Sequence, residues 1–414
     1  MGKYVLRCMK CSAEYGENSK ELVCSRCGEA LDTIYDYEVA KETFTKTNLK
    51  DRSPGVWKYI ELLPIGSTRN VVSIGEGGTN LVEAKRLGGL LGFKNFYLKD
   101  ESRNPTCSFK DRKSTVAITK ASDFGFDTVA AATAGNAGSS TAAYAAKAGL
   151  RAIIFTFRNI SRPKLSKLIS YGASVFIVDG MSWETHHLLL DACKKYGWYN
   201  AISASRYNPY VKEGAKTEAI EICEQLDWNI PDWIILPVGG GCGLTSCWKG
   251  LRELRQMGAI NTLPKLVGVQ GAECAPLVKA YEGNVPEDKI ERISDAHTVA
   301  HSIEDDFPVD GEQALRAVRE SRGLAIGVED QDILSAQKLI ASREGLYVEP
   351  SSSAPVAAAK LLLDRGVIDS QDRVVCIATG FGLNEPEAIF TSTHEAPVVK
   401  PSIEALAAVF AKFS

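Results

Sequence analysis

The 414-residue chain contains no run of about 18 apolar residues, so no helical membrane span is expected. Its opening, Met1-Gly-Lys-Tyr-Val-Leu-Arg-Cys8, has neither the apolar core nor the small-residue cleavage site of a secretory leader, and a reducing cytoplasm is expected. Neither sign of charge dominates, with 48 Lys and Arg against 51 Asp and Glu. A net charge of -3 gives no general attraction to nucleic acid or to an anionic membrane. Histidine is rare, with five in the chain. The adjacent pair His186-His187 falls in a helix-like stretch and reads as packed or exposed rather than as a metal site. Internal repeats and low-complexity linkers are absent as well, which leaves an ordinary globular composition of 45% apolar and 24% charged residues.

Cysteine, in contrast, is plentiful at eleven, and its placement is informative. Cys8-Met-Lys-Cys11 and Cys24-Ser-Arg-Cys27 are two Cys-x-x-Cys knuckles twelve residues apart. Each points two sulfurs at one place, and together they suit a tetrahedral thiolate cage for zinc. A segment of 1–34 is too short to bury much core, so a metal would supply its folding energy. Four sulfur ligands leave no open position, and the zinc is expected to be structural. Thiols that oxidise in pairs, or a ribbon without metal, are the alternatives. The other seven cysteines are scattered and are expected to be free thiols.

Beyond about residue 50 the pattern is α/β. Short β-branched runs at 152–157, 174–178, 233–238, 265–269 and 373–378 read as fully buried parallel strands. Helix-length stretches at 139–149, 163–172 and 212–226 lie between them. Two groups of strands suggest two doubly wound α/β domains with a cleft between. The expected division is a ribbon at 1–34, a large domain from 35–104 and 201–414, and a small domain at 105–200. The charged stretch 282–310 reads as a surface excursion.

Four places carry chemistry, each after an apolar run, where α/β sheets bind ligands. Lys110 lies in Asn104-Pro-Thr-Cys-Ser-Phe109-Lys110-Asp-Arg112, between a strand and a helix-like stretch. Thr133-Ala-Gly-Asn136-Ala-Gly-Ser139-Ser140-Thr141 is a glycine turn into a helix of small residues, whose free N–H groups suit a carboxylate or phosphate. Asn136 can bond a phenolate-like oxygen. Gly239-Gly240-Gly241-Cys242-Gly243 has neither the Lys-Ser/Thr ending of a nucleoside-triphosphate loop nor dinucleotide spacing, and it fits a small phosphate. Thr379, in Ala378-Thr-Gly-Phe-Gly382, offers a hydroxyl that would leave a pyridine nitrogen unprotonated. An amine, a carboxylate turn, a phosphate cup and a hydroxyl in this order point to pyridoxal 5'-phosphate.

These residues resemble the threonine synthase branch of the fold-type-II pyridoxal-phosphate enzymes. Gly75-Glu-Gly-Gly-Thr79, Lys99-Asp-Glu101, the Lys110 loop, Glu213-Gly-Ala-Lys-Thr217 and Val348-Glu-Pro-Ser351 all fit that family's motifs, and the resemblance covers nearly the whole chain. It implies that Lys110 carries the cofactor covalently and later shuttles protons, with Phe109 near the ring. It further implies Asn136 at the ring oxygen, Gly239, Gly240, Gly241, Cys242 and Gly243 at the phosphate, and Thr379 at the ring nitrogen. Thr133, Ser139 and Ser140 would meet the substrate. The implied activity is that of a lyase acting on a small amino acid, converting O-phospho-L-homoserine and water to L-threonine and phosphate. Serine/threonine dehydration, β-replacement on O-phosphoserine as in cysteate synthase, and a non-catalytic cofactor-binding regulator are the alternatives. A homodimer is expected. Cys107 stands where the family has glycine, Ala137 and Gly138 replace two hydroxyl positions, and Phe381 replaces a histidine.

Overall fold

The computed structural model describes residues 3–65, 70–158, 160–180, 182–390 and 397–410. Its N-terminal unit is an antiparallel sheet of β1 (Tyr4–Cys8), β2 (Glu14–Gly16) and β3 (Leu31–Tyr35), in the order β2-β1-β3. Tyr4, Leu6, Leu31 and Tyr35 are buried against the body of the protein. Asp32 ties this unit down, because Lys212 and Lys249 both reach its carboxylate at 2.7 Å.

Two further sheets make up the body. The larger joins β4 (Leu81–Glu83), β5 (Asn95–Asp100), β10 (Trp233–Pro237), β11 (Lys265–Gly271), β12 (Leu324–Val328) and β13 (Arg373–Ala378). Their order is β12-β11-β10-β13-β5-β4, parallel except for the β4 edge. The smaller joins β6 (Thr128–Thr133), β7 (Arg151–Phe157), β8 (Ser174–Val178) and β9 (Tyr199–Asn200), all parallel, in the order β8-β7-β6-β9.

Successive strand residues face opposite ways, and both faces of each sheet are covered. Ile234 and Leu236 pack with Ile220, Leu251 and Leu315 on one side of the large sheet, while Ile235 and Val267 pack with Ile333, Ala354 and Ala358 on the other. In the small sheet Val129 and Ile154 meet Val116, Ala142 and Leu168, and Ala130 and Phe155 meet Leu189. Burying such an aliphatic side chain stabilises by roughly 1.5–3 kcal/mol, so the double winding follows from β-branched strands with no polar face.

Three expectations are corrected. β8 is not fully buried: it is the edge strand, and Phe176 and Ile177 are more than half exposed. The stretch 282–310 is a surface excursion only in its first half. Thr298, Ala300, Ile303 and Asp310 are buried, because the second half folds back over the glycine turn after β10. The helix expected at 212–226 is two, Pro209–Ala215 and Thr217–Gln225.

Candidate active site

Lys110 is the first residue of the helix Lys110–Asp123. The loop before it is held from two directions. Asp111 accepts from the Thr106 backbone N–H at 2.6 Å and from its hydroxyl at 2.5 Å. The Phe109 N–H donates to the Thr379 carbonyl at 2.9 Å, and Phe381 N–H donates to the Cys107 carbonyl at 3.0 Å. These last two bonds stitch the lysine loop to the end of β13, so the sheet positions the amine. Cys107 takes the left-handed conformation, at φ 68°, that glycine adopts without strain.

The Lys110 amine has little polar company. Its Nζ lies 3.3 Å from Ser203 Oγ and 4.8 Å from the centre of the Phe109 ring. Burial first, then the neighbouring Lys113 charge, pull its pKa down to about 7. Both effects disfavour the ammonium, and a neutral amine is the form that attacks a carbonyl.

The remaining sequence candidates lie at or just past the ends of β6, β10 and β13. Gly241 and the helix Cys242–Gln256 follow β10, and the Phe109 ring lies over Gly243, where a side chain would sit 3.6 Å from it. Gly241 has φ 93°, and a Cβ there would press on the Asp310 backbone at 3.1 Å, so the turn requires glycine. Asn136 opens the helix Asn136–Ala148. Its Nδ2 donates to both Glu349 oxygens, at 3.0 and 3.2 Å, while its Oδ1 is buried with no partner. The Ser139 hydroxyl is also buried and unpartnered, and Ser140 is fully buried beside it. Thr133 serves the turn itself: its hydroxyl accepts from Gly135 N–H at 2.9 Å and Gly138 N–H at 3.2 Å. The Thr379 hydroxyl meets Ser352 Oγ at 3.2 Å.

Several residues of the site were not singled out from sequence. Ser302 and Asp305 arrive with the folded-back stretch 298–310. Ser302 Oγ meets Asn136 Nδ2 and Glu385 Oε1, each at 3.2 Å. The Asp305 carboxylate faces Gly240, and burial followed by Asp306 raises its pKa to about 7. Glu349 lies buried under Gly380, and burial and then Glu385 raise its pKa. Ser203 follows β9. None lies near Lys110 in the chain, and only Glu349 stood inside a quoted motif.

Behind the loop lies a buried ion network built from three of those motifs and from Glu221, which lies outside them. Arg112 grips Glu101 with a two-pronged contact at 2.7 and 2.8 Å and reaches both Glu221 oxygens at 3.1 Å. Lys99 meets Glu221 at 2.5 Å, and the Thr79 hydroxyl donates to Glu101 at 2.6 Å. Two cations and two carboxylates balance, as buried charges require. Arg112 and Lys99 hold Glu221 down at about 2 against the effect of burial. Gly214 is needed for a different reason: a Cβ there would overlap the Arg112 carbonyl, so the helix Pro209–Ala215 comes close enough to clamp the Lys110 helix.

In the N-terminal unit the four predicted sulfurs do meet. Cys8, Cys11, Cys24 and Cys27 Sγ atoms all lie within 4.8 Å of one another, with separations of 3.5 Å for Cys8–Cys27 and 3.6 Å for Cys11–Cys24 and Cys11–Cys27. A zinc–sulfur distance of about 2.3 Å in a tetrahedron puts sulfurs about 3.8 Å apart. The cage fits zinc and is too open for disulfides. His186 lies elsewhere, beside a cleft of about 780 Å³ between this unit and residues 305–310.

Residues 72–380 match the pyridoxal-phosphate dependent enzyme family. Among curated proteins, the threonine synthase of Methanosarcina acetivorans is 40% identical over 411 residues, covering 99% of each chain. The threonine synthase of Methanocaldococcus jannaschii is 38% identical, over 94% of this chain and 95% of its own. The chain belongs to the threonine synthase family. Its fold also matches that of diaminopropionate ammonia lyase from Escherichia coli, with a TM-score of 0.66 at 16% identity over 80% of this chain and 92% of that one.

Within the threonine synthase family frame, the donor set suits the cofactor. An amine of low basicity and a glycine turn that excludes side chains are what an aldehyde and a phosphate would complete. Among the described residues no helix is long and apolar enough to cross a membrane.

Proposed function

We propose that the chain is a pyridoxal-phosphate-dependent lyase that converts O-phospho-L-homoserine and water to L-threonine and phosphate. The observation that carries this reading is the Lys110 amine, poised near neutrality at the point where the lysine loop, the glycine turn and the end of β13 meet, in a chain 40% identical to a threonine synthase. When bound, the cofactor supplies an electron sink that stabilises a carbanion at the substrate's α-carbon.

The protein does the rest. Lys110 holds the cofactor and moves protons at its Nζ. Phe109 packs against it. Gly239, Gly240, Gly241, Cys242 and Gly243 hold the phosphate with backbone N–H groups. Asn136 would bond the ring oxygen, and the Thr379 hydroxyl, which meets Ser352 Oγ at 3.2 Å, would serve the ring nitrogen as a neutral partner. Ser139 and Ser140 at the start of the Asn136 helix, with Thr133 bracing the turn, receive the substrate. Zinc on Cys8, Cys11, Cys24 and Cys27 holds the ribbon.

The division into a ribbon (1–34), a large domain (35–104 and 201–414) and a small domain (105–200) is supported by the sheets: all four strands of the smaller one fall within 105–200. A homodimer in the cytoplasm, acting on a small amino acid without nucleic acid or membrane, completes the reading.

Incubation of the holoenzyme with O-phospho-L-homoserine, serine and threonine separates the candidate activities. Release of threonine and phosphate in equal amounts is expected. Conversion of threonine to a 2-oxo acid, with O-phospho-L-homoserine untouched, would replace synthase by dehydratase.

A further inference from the structure

A phosphorylated substrate needs a cation, and the turn facing Lys110 presents Ala137 and Gly138. Most buried cations of this chain already have carboxylates. Lys99, Arg112, Lys164, Lys212 and Lys216 each meet one within 3.1 Å. Lys113 does not. It is 2% exposed, and no carboxylate pairs with it among the described residues. Its Nζ donates to Ser203 Oγ at 3.3 Å and lies 4.9 Å from the Phe109 ring. Three residues after Lys110, it shares that helix face. Both amines converge on one serine, in a cavity also lined by Ala137, Thr141 and Val211. A buried ammonium with one neutral partner is costly unless an anion completes it.

The geometry points to Lys113 as the group that binds the substrate's phosphate, with the Ser203 hydroxyl as second donor. This deepens the threonine synthase reading and rests on it. The cavity holds about 10 Å³, space for one water, while both amines occupy its wall. An anion therefore needs the Lys110 amine to leave Ser203 first. Ammonium–phosphate contacts are charge-assisted hydrogen bonds, and losing one weakens binding by roughly 10- to 100-fold.

The test compares wild-type, Lys113→Met and Lys113→Arg holoenzymes, with Lys113→Gln in reserve should the methionine variant fail to fold. Three quantities are read: calorimetric affinity for inorganic phosphate, kcat and KM for O-phospho-L-homoserine, and the affinity for L-threonine from the change in cofactor absorbance. Removal of the amine is expected to weaken phosphate and raise KM by roughly 10- to 100-fold, to leave threonine within about twofold, and to be largely rescued by arginine. Unchanged phosphate affinity overturns the assignment. So does an equal weakening of threonine, which marks a purely structural lysine. If wild type makes no threonine yet its phosphate affinity depends on Lys113, the anion site stands and the substrate reading falls.

Discussion

Arg112 and Lys113 are neighbours on one helix, and both are buried, yet their surroundings are opposite. Arg112 has two carboxylates and Thr217, whereas Lys113 has Ser203 and the face of the Phe109 ring. The first arrangement is closed: every charge has its counter-charge, and nothing remains for a ligand. The second is open, and Lys110 shares it. One step along the helix, a rotation of about 100°, thus separates a cation that holds the fold from an amine that meets chemistry. Burial alone does not distinguish the two. Among the described residues a carboxylate closes the first site and none closes the second; Lys120, on the same helix, is also buried without an ion pair there, but its amine is spent on the Tyr4 hydroxyl at 3.0 Å.

The comparison can be broken most forcefully at Lys110. Lys110→Ala is expected to lower turnover by at least about 1000-fold and to abolish borohydride-fixed cofactor, with the melting transition retained. Arg112→Met should act the other way. It strands Glu101 and Glu221, which costs about 3–5 kcal/mol of stability by denaturant titration. A stable Arg112→Met protein would show that the network is dispensable. Chelation of the ribbon's zinc should release one metal per chain and melt the ribbon before the body, since the four sulfurs then lose their common partner.

A milder effect follows from the lowered Lys110 pKa. Between about 7 and 10.5 the unfolded chain holds a proton there that the folded, cofactor-free chain has released. Stability should therefore rise with pH across that window relative to Lys110→Met, and the difference should be flat below it. Smallest of all, Cys107→Gly removes a left-handed side chain and should change stability by about 1 kcal/mol or less, favourably.

Much of this was legible in sequence. The Cys-x-x-Cys pairs, the glycine run after β10 and the lysine loop announce themselves because their residues are adjacent, and a local turn is all they need. The buried strands were legible from β-branched runs, with β8 the exception, because an apolar run does not say whether a strand is central or at an edge. Ser203, Ser302, Asp305 and Glu349 were not legible as site residues. They reach the lysine only through the packing of two sheets, and nothing local marks them. Lys113 is intermediate: its spacing from Lys110 puts both on one helix face, but the missing carboxylate is visible only in three dimensions.

Mass spectrometry after borohydride treatment tests the central claim most directly, since two amines stand within reach of one serine. Incubated with pyridoxal phosphate at pH 8 and reduced, the protein should carry a single adduct, on Lys110, formed with a pH midpoint near the value of about 7 that its surroundings impose. An adduct on Lys113, or none at all, would contradict the account.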